Sequence, residues 1–415
     1  MIDCYERTTC RMCEGPNLST VLSLTPTPPG NRFLTRAQLG ETEPRYPLDL
    51  VLCRRCGHVQ LKHVVDPRIL YQNSYSYVSG TSPVFVRHLD DYAAHVIERF
   101  GLPQGALVVD IGSNDGTALR AFQARGMRVL GVDPAANIAE RATATGIPTV
   151  SAFFGSELAK ALRQEHGPAA FVTSHNACAH IDQLDDVFRG VATLLAPDGV
   201  FGCEVGYLLD VVQNLWFDTI YHEHLDYHTA GPFEFLYDRC GLMPIGVDRV
   251  APQGGSLRLF AQPKGVPRSQ DGSFAALKAI ESEAGLAEPA TFEAMGARIR
   301  ATGNELRRVI EEFRAQGRAV AAFGAPTKAT TLTAHFGLDR HHLDFIVDDN
   351  PLKCGLYAPL THVPVLPASA LYERRPDVVL ILAWNFADSI MRAHQAFLDS
   401  GGRFVVPMPD VRVFA

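Results

Sequence analysis

Residues 106–117 read Ala106-Leu107-Val108-Val109-Asp110-Ile111-Gly112-Ser113-Asn114-Asp115-Gly116-Thr117, and this stretch decides the fold. The apolar run up to Ile111 predicts a buried strand, the glycines a tight turn, and Thr117 to about Arg125 a helix. The alternation continues outward. Arg128 to Val132 predicts a strand ending at Asp133-Pro134, and Ala170 to Thr173 and Gly199 to Glu204 predict two more, with a helix over about Leu184 to Leu195 between them. Strands and helices in this order predict an α/β fold with a parallel, doubly wound sheet. Upstream, residues 84–100 place apolar side chains at helical spacing and stop at Gly101 and Pro103.

A second, smaller α/β alternation follows: strand Ala319 to Phe323, turn, helix, strands Leu343 to Val347 and Val378 to Ala383, and helix Asp388 to Leu398. Between the two units, Gly254 to Leu259 reads as a turn into a strand, and helical sequence runs up to about Arg314. With 415 residues, and about 150 per domain, two or three domains are expected. The division predicted is a zinc-binding module over 1–80, a central domain over 81–251 and a C-terminal domain over 252–415.

Composition narrows the class. Hydrophobic residues make up 47% and charged residues 20%, which excludes a disordered chain. The net charge of −7 argues against a nucleic-acid or membrane surface and leaves a small-molecule partner. The N-terminus carries no basic stretch followed by an apolar one, and the apolar run Val378 to Trp384 is too short to span a bilayer, so a cytoplasmic location is expected. Nothing in the sequence sets the oligomeric state.

In a reducing compartment paired cysteines suggest metal before disulfide. Cys10-Arg11-Met12-Cys13 and Cys53-Arg54-Arg55-Cys56-Gly57 offer four thiolates, each pair brought to one ion by its two-residue gap. Four protein ligands close a zinc site, so its expected role is structural. Cys4, Cys178, Cys203, Cys240 and Cys354 have no ligand spacing and read as small apolar residues.

The turn after Ile111 is built for a ligand. A dinucleotide fingerprint wants glycine at 112, 114 and 117, but Asn114 and Thr117 break it. Gly112 and Gly116 still allow close backbone approach. Asp110 would repel a pyrophosphate but attract an ammonium, which S-adenosylmethionine carries without any phosphate. Asp133 is placed for ribose hydroxyls, Phe153 and Phe154 for an adenine, and Asn176 for the carboxyl edge of the sheet. The cofactor expected is S-adenosylmethionine.

Tyr221-His222-Glu223-His224-Leu225-Asp226-Tyr227-His228 is unusually dense in chemistry. A zincin needs His-Glu-x-x-His, and Asp226 breaks that motif. What remains is proton transfer by a histidine base with a neighbouring acid or phenol, or else a polar loop of satisfied histidines. His222 and His224 both qualify as base, with Glu223 and Tyr221 beside them, and His180 is a further donor at the same sheet edge. In the last unit, Gly324-Ala325-Pro326-Thr327-Lys328 is not a Walker loop, yet Lys328, Lys353, Trp384 and Asn385 could bound a substrate, with solvated surface roles for the lysines equally open.

Taken in order, the Cys-x-x-Cys pairs, the Asp-Ile-Gly-Ser-Asn-Asp-Gly turn, Asn176 to His180, Glu223-His224 and Phe323 to Lys328 resemble the three-domain sugar C-methyltransferases of antibiotic deoxysugar pathways, over essentially the whole chain. The resemblance implies one structural zinc on Cys10, Cys13, Cys53 and Cys56. It implies S-adenosylmethionine in the middle domain, and a C-terminal Rossmann-like domain closing over a TDP-linked 4-keto sugar. It places the base on His224, and a tyrosine from the first domain in Tyr75-Ser76-Tyr77, with Tyr77 favoured. The competing expectations are methylation of a non-sugar acceptor or of an oxygen, and a silent zinc-bearing scaffold.

Overall fold

The computed structural model describes residues 3–71, 80, 83–251, 254–266 and 268–415. At its centre is a seven-stranded sheet in the order Leu242–Val250, Ser256–Pro263, Leu195–Gly206, Ala169–His175, Leu107–Ile111, Arg128–Asp133, Thr149–Ser151. The strands from Leu195–Gly206 onward in that order are parallel, and Ser256–Pro263 runs antiparallel to both of its neighbours. Leu107–Ile111 is buried at every position, as a central strand of a doubly wound sheet must be. Its carboxyl end delivers the Gly112–Gly116 turn to the sheet edge.

The strand Ser256–Pro263 lies beyond the boundary expected at 251, yet it pairs with both Leu195–Gly206 and Leu242–Val250. Ladder hydrogen bonds therefore hold the central sheet together across that point. The Gly-bearing turn there connects two strands of one sheet.

A second sheet of six strands runs Val365–Pro367, Ile346–Asp348, Val320–Phe323, Val378–Ile381, Arg403–Val406, Arg412–Phe414, with only the last antiparallel. The helical run expected over 388–398 is two short helices, Ala387–Ala393 and Gln395–Asp399.

The first module folds as an antiparallel sheet of Leu18–Thr27, Tyr46–Cys53, Val59–Leu61 and, from far along the chain, Asp226–Tyr227. Its apolar face has no private core. Leu48, Leu50, Leu52, Val59 and Leu61 share one cluster with Phe292, Ile299 and Leu306 of the 27-residue helix Pro289–Ala315 and with Val320 to Phe323. That helix buries positions 292, 295, 299, 306, 310 and 313, a single stripe at helical spacing, and so joins the first module to the last. Among the described residues no helix is long and apolar enough to cross a membrane.

Candidate active site

A cleft of about 1060 Å³ opens where the three parts meet, lined by Tyr5 and Asn31 of the first, Asp110 to Asn114, His180 and His224 of the second, and Lys328 and Trp384 of the third. Its floor is the carboxyl edge of the parallel strands, where open α/β sheets bind ligands.

One end is shaped by the turn after Ile111. Gly112, Asn114 and Gly116 have φ of 74°, 50° and 77°. A Cβ on Gly112 would lie 2.5 Å from the Cβ of Ala177, so only glycine lets the turn sit against the Asn176 segment. Asp133 is fixed by accepting from the Asn114 and Ala135 amides, both at 2.9 Å. Asp110 reaches the cleft buried, and its Oδ1 has no partner among the described residues. Burial, with Asp133 nearby, pushes the Asp110 carboxyl well above its usual range. A buried carboxylate left unpaired in this way is completed by a cationic ligand, which is the fit expected for S-adenosylmethionine. Phe153 and Phe154 both line the cleft; Phe153 is 64% exposed there, whereas Phe154 is mostly buried and packs into the core below. Asn176, with φ 55°, is held by its amide to the Glu204 carbonyl at 2.7 Å. Gly112→Ala should weaken S-adenosylmethionine binding at least about tenfold and lower the melting temperature, since strain of about 1–3 kcal/mol adds to the clash; calorimetric titration and melting check both.

At the other end His224 sits in a fixed tautomer. Its Nδ1 meets the Thr219 carbonyl at 2.9 Å, which can only accept, so the proton is on Nδ1. Nε2 then carries the lone pair and accepts from the Tyr221 hydroxyl at 2.9 Å. The two rings lie 4.2 Å apart, and the His180 ring stands at 81° to His224 with centroids 4.9 Å apart. Burial lowers His224 from the usual 6.5 to about 4 and His180 to about 3, so both are neutral at pH 7. Glu223 is displaced the other way, to about 7, again by burial, and its Oε1 accepts from the Asn31 amide at 3.0 Å. Asn31 in turn accepts from the Thr327 hydroxyl at 2.7 Å, so one hydrogen-bond chain crosses all three parts.

The structure separates the two candidate bases. His222 is turned away from the cleft, its Nε2 on the Tyr46 carbonyl at 3.2 Å. Residues 222 and 224, one position to either side of Glu223, thus serve different surroundings. Tyr77, with Tyr75, lies outside the described residues.

In the last unit Lys328 lines the cleft with Nζ 3.6 Å over the Trp384 ring and 2.9 Å from Asn385 Oδ1. Trp384 is held by its indole N–H to the buried Asp218 at 2.7 Å. Lys353 stands behind this wall, donating to the Ala325 carbonyl at 2.7 Å and facing the Phe33 ring. Its charge reaches Glu223 but its ammonium is not on the cleft surface.

Sequence reading missed Asn31, Asp218 and a polar group near the cofactor end. There Glu204 holds His88 at 2.7 Å and Arg258 at 3.0 Å beside His175, which lines the cleft. Lone polar residues in unremarkable surroundings gave no signal. Arg258 also comes from the strand Ser256–Pro263, which sequence placed in the other domain.

The four pair-cysteines converge: their sulfurs all lie within 4.8 Å of one another, with Cys10 to Cys56 and Cys13 to Cys53 each 3.5 Å apart. With Zn–S bonds of about 2.3 Å, one tetrahedral ion fits such a set. None of the described cysteines is in a disulfide.

The fold and the site define a methyltransferase with a metal-bearing first module, and comparison with known proteins bears this out. Three family models tile the chain: a zinc binding domain over 10–71, a methyltransferase domain over 85–244 and a C-methyltransferase C-terminal domain over 251–409. C-methyltransferase NovU of Streptomyces niveus is 36% identical over 406 residues, covering 98% of this chain and 96% of NovU. Among solved structures, magnesium protoporphyrin IX methyltransferase of Synechocystis PCC 6803 aligns at 14% identity over 42% of this chain and 78% of its own, with a TM-score of 0.33. An S-adenosylmethionine-dependent methyltransferase of Clostridium acetobutylicum aligns at 13% over 43% and 92%, with a TM-score of 0.35. The chain belongs to the C-methyltransferase family that includes NovU. It is an S-adenosylmethionine-dependent enzyme with one structural zinc site.

Proposed function

We propose that the enzyme methylates the carbon next to the ketone of a TDP-linked 4-keto deoxysugar, in the cytoplasm, by way of an enolate. The observation that carries this reading is the Thr219–His224–Tyr221 arrangement: a neutral imidazole whose Nε2 meets the Tyr221 hydroxyl at the wall of a cleft large enough for a cofactor and a sugar nucleotide together.

A sugar carbon becomes nucleophilic only after losing a proton, which the adjacent ketone makes possible. His224 Nε2 takes that proton as the Tyr221 hydroxyl turns from it toward the substrate oxygen, and the Thr219 carbonyl steadies the resulting imidazolium through Nδ1–H. The enolate oxygen needs donors. Tyr221 offers its hydroxyl, and Glu223 keeps a proton up to about pH 7 and so can donate as well. His180 packs edge-on against His224 and limits its rotation. When bound, S-adenosylmethionine supplies the electrophilic methyl group; Asp110, Gly112, Asn114, Gly116, Asp133, Phe153 and Asn176 would hold it. Lys328, with Trp384 and Asn385 beside it, would face the nucleotide end of the substrate, where a cation and an aromatic face suit a diphosphate and a base. Lys353, behind the wall, would act through the field it adds at Glu223.

Two measurements test the reading. With S-adenosylhomocysteine in place of the methyl donor, the enzyme should wash deuterium from the solvent into a TDP-4-keto-6-deoxysugar at the carbon beside the ketone, read by mass spectrometry. Methyl transfer without any exchange would mean attack through oxygen and would overturn the enolate. The acid limb of kcat/KM should lie below about pH 5, because a base with pKa about 4 stays unprotonated as pH falls through 6.5 and is lost only near 4. An acid limb near pH 7 that vanishes in Glu223→Gln would instead make Glu223 the base.

A further inference from the structure

We propose that Arg11, one of the two residues between the first two zinc ligands, is a positioning residue for catalysis, clamping the His180 and His224 segments in register. The proposal rests on the reading of those histidines as reacting groups. Arg11 is 1% exposed, a guanidinium taken wholly out of water. Its Nε donates to Asp182 Oδ1 at 2.9 Å, and Asp182 is two residues past His180. Its Nη1 donates to the Leu61 carbonyl at 3.1 Å and the Leu225 carbonyl at 3.4 Å, and lies 3.8 Å from Asp226 Oδ1. Leu225 and Asp226 directly follow His224. One planar side chain therefore holds both histidine segments at fixed spacing.

The neighbours make the clamp double. His58, two residues past Cys56, meets the same Asp226 oxygen, Oδ1, through Nε2 at 2.7 Å. Tyr5 and Arg7 join Arg11 on Asp182, Arg7 at 3.0 Å and Tyr5 through its hydroxyl. The Arg11 amide is tied to Gln60 Oε1 at 2.8 Å, in the strand that pairs with Asp226–Tyr227. Between the segments runs a single short backbone bond, from the Leu225 amide to the Ala179 carbonyl at 2.6 Å. Residues 179 and 225 each adjoin a histidine, so this bond sets the ring contact and the clamp sets the bond.

A fold needs none of this expense for stability alone, because a buried ion pair is often no better than apolar residues of the same volume. Its distinctive property is geometry: five donors in a rigid fork, reaching two anchors in fixed directions. The ligand knuckle around Arg11 supplies the rigid base for that fork. The metal module thus sets the distance between two side chains of the central domain.

The test pairs Arg11→Gln with Asp182→Asn, singly and together, each checked for one zinc per chain. In ¹⁵N-histidine spectra of enzyme without substrate, both variants should shift the His180 and His224 imidazole signals while leaving His166, on the outer helix, unmoved. With a TDP-4-keto-6-deoxysugar, kcat should fall about 30- to 100-fold with KM changed less than threefold, the size expected when a reacting group is displaced by about 1 Å. The double variant should be no worse than the worse single one, since both remove the same contact. Arg11→Lys, which cannot reach both anchors, should recover only part of kcat. Unshifted imidazole signals in folded, zinc-loaded variants would overturn the proposal, as would additive losses in kcat. The spectra need no acceptor, so a wrong substrate would leave that arm standing.

Discussion

His224→Ala is expected to lower kcat by about a thousandfold, within the range that a positioned general base contributes, while S-adenosylmethionine binds within about threefold of its normal affinity. The two effects separate because the groups that would hold the cofactor lie elsewhere. Asp110, Asp133 and the 112–116 turn are anchored by bonds among themselves and to neighbouring strands, none of which passes through His224. The imidazole, by contrast, is wired to its own segment through Thr219 and Tyr221. Tyr221→Phe should cost less, about tenfold, because it removes one donor and leaves the lone pair in place. Calorimetric titration and initial rates on the same preparations check all three. A His224→Ala enzyme with most of its activity would transfer the proton step to another group, and Glu223 would be the one to examine next.

The central sheet was legible because its signal is periodic. The run from Ala106 to Ile111 is apolar except for Asp110 and ends in a turn whose glycines sit at positive φ, so burial and backbone both wrote themselves into local sequence. The cysteine pairs were legible for the same reason, since ligand spacing is local. What stayed hidden is long-range. Asp226–Tyr227 reads as the tail of a histidine-rich loop, yet it is a strand of the first module's sheet, and only the partner at Val59–Leu61 makes it one. Ser256–Pro263 reads as the opening of a new domain because a glycine turn precedes it, but ladder bonds put it in the old one. His222 and His224 could not be told apart by residue type, since what separates them is whether the Tyr46 carbonyl or the Thr219 carbonyl lies within reach. Asn31 had no local signal at all. Its importance comes from standing between Glu223 and Thr327, residues from two other parts of the chain.

Stripping the metal should have the largest effect on the molecule as a whole. A structural zinc contributes apparent binding energy of about 10–16 kcal/mol to the folded state, comparable to or above the net stability of about 5–15 kcal/mol of an ordinary domain. Here little else in the module could compensate. Its sheet has no core of its own, and the strand Tyr46–Cys53 ends on a ligand. The turns at both pairs are short: the Glu14 amide returns to the Cys10 carbonyl at 2.8 Å, and the Gly57 amide to the Cys53 carbonyl at 2.9 Å. Without an ion, four thiols, three of them buried, would have to stay within 4.8 Å of one another with weak hydrogen bonds alone to hold them. Elemental analysis should therefore find one zinc per chain, and chelation should lower the melting temperature by more than about 10 °C, as should Cys53→Ser. Unfolding should spread beyond the module, because Asp226–Tyr227 loses its partner strand and the helix Pro289–Ala315 loses the first-module side chains that share its core cluster. Full zinc removal with an unchanged melting curve would show that the cysteines are packed for their volume alone. Restored melting on adding back zinc, but not magnesium, would assign the loss to the thiolate site, since magnesium prefers oxygen ligands and has no affinity for sulfur of this kind.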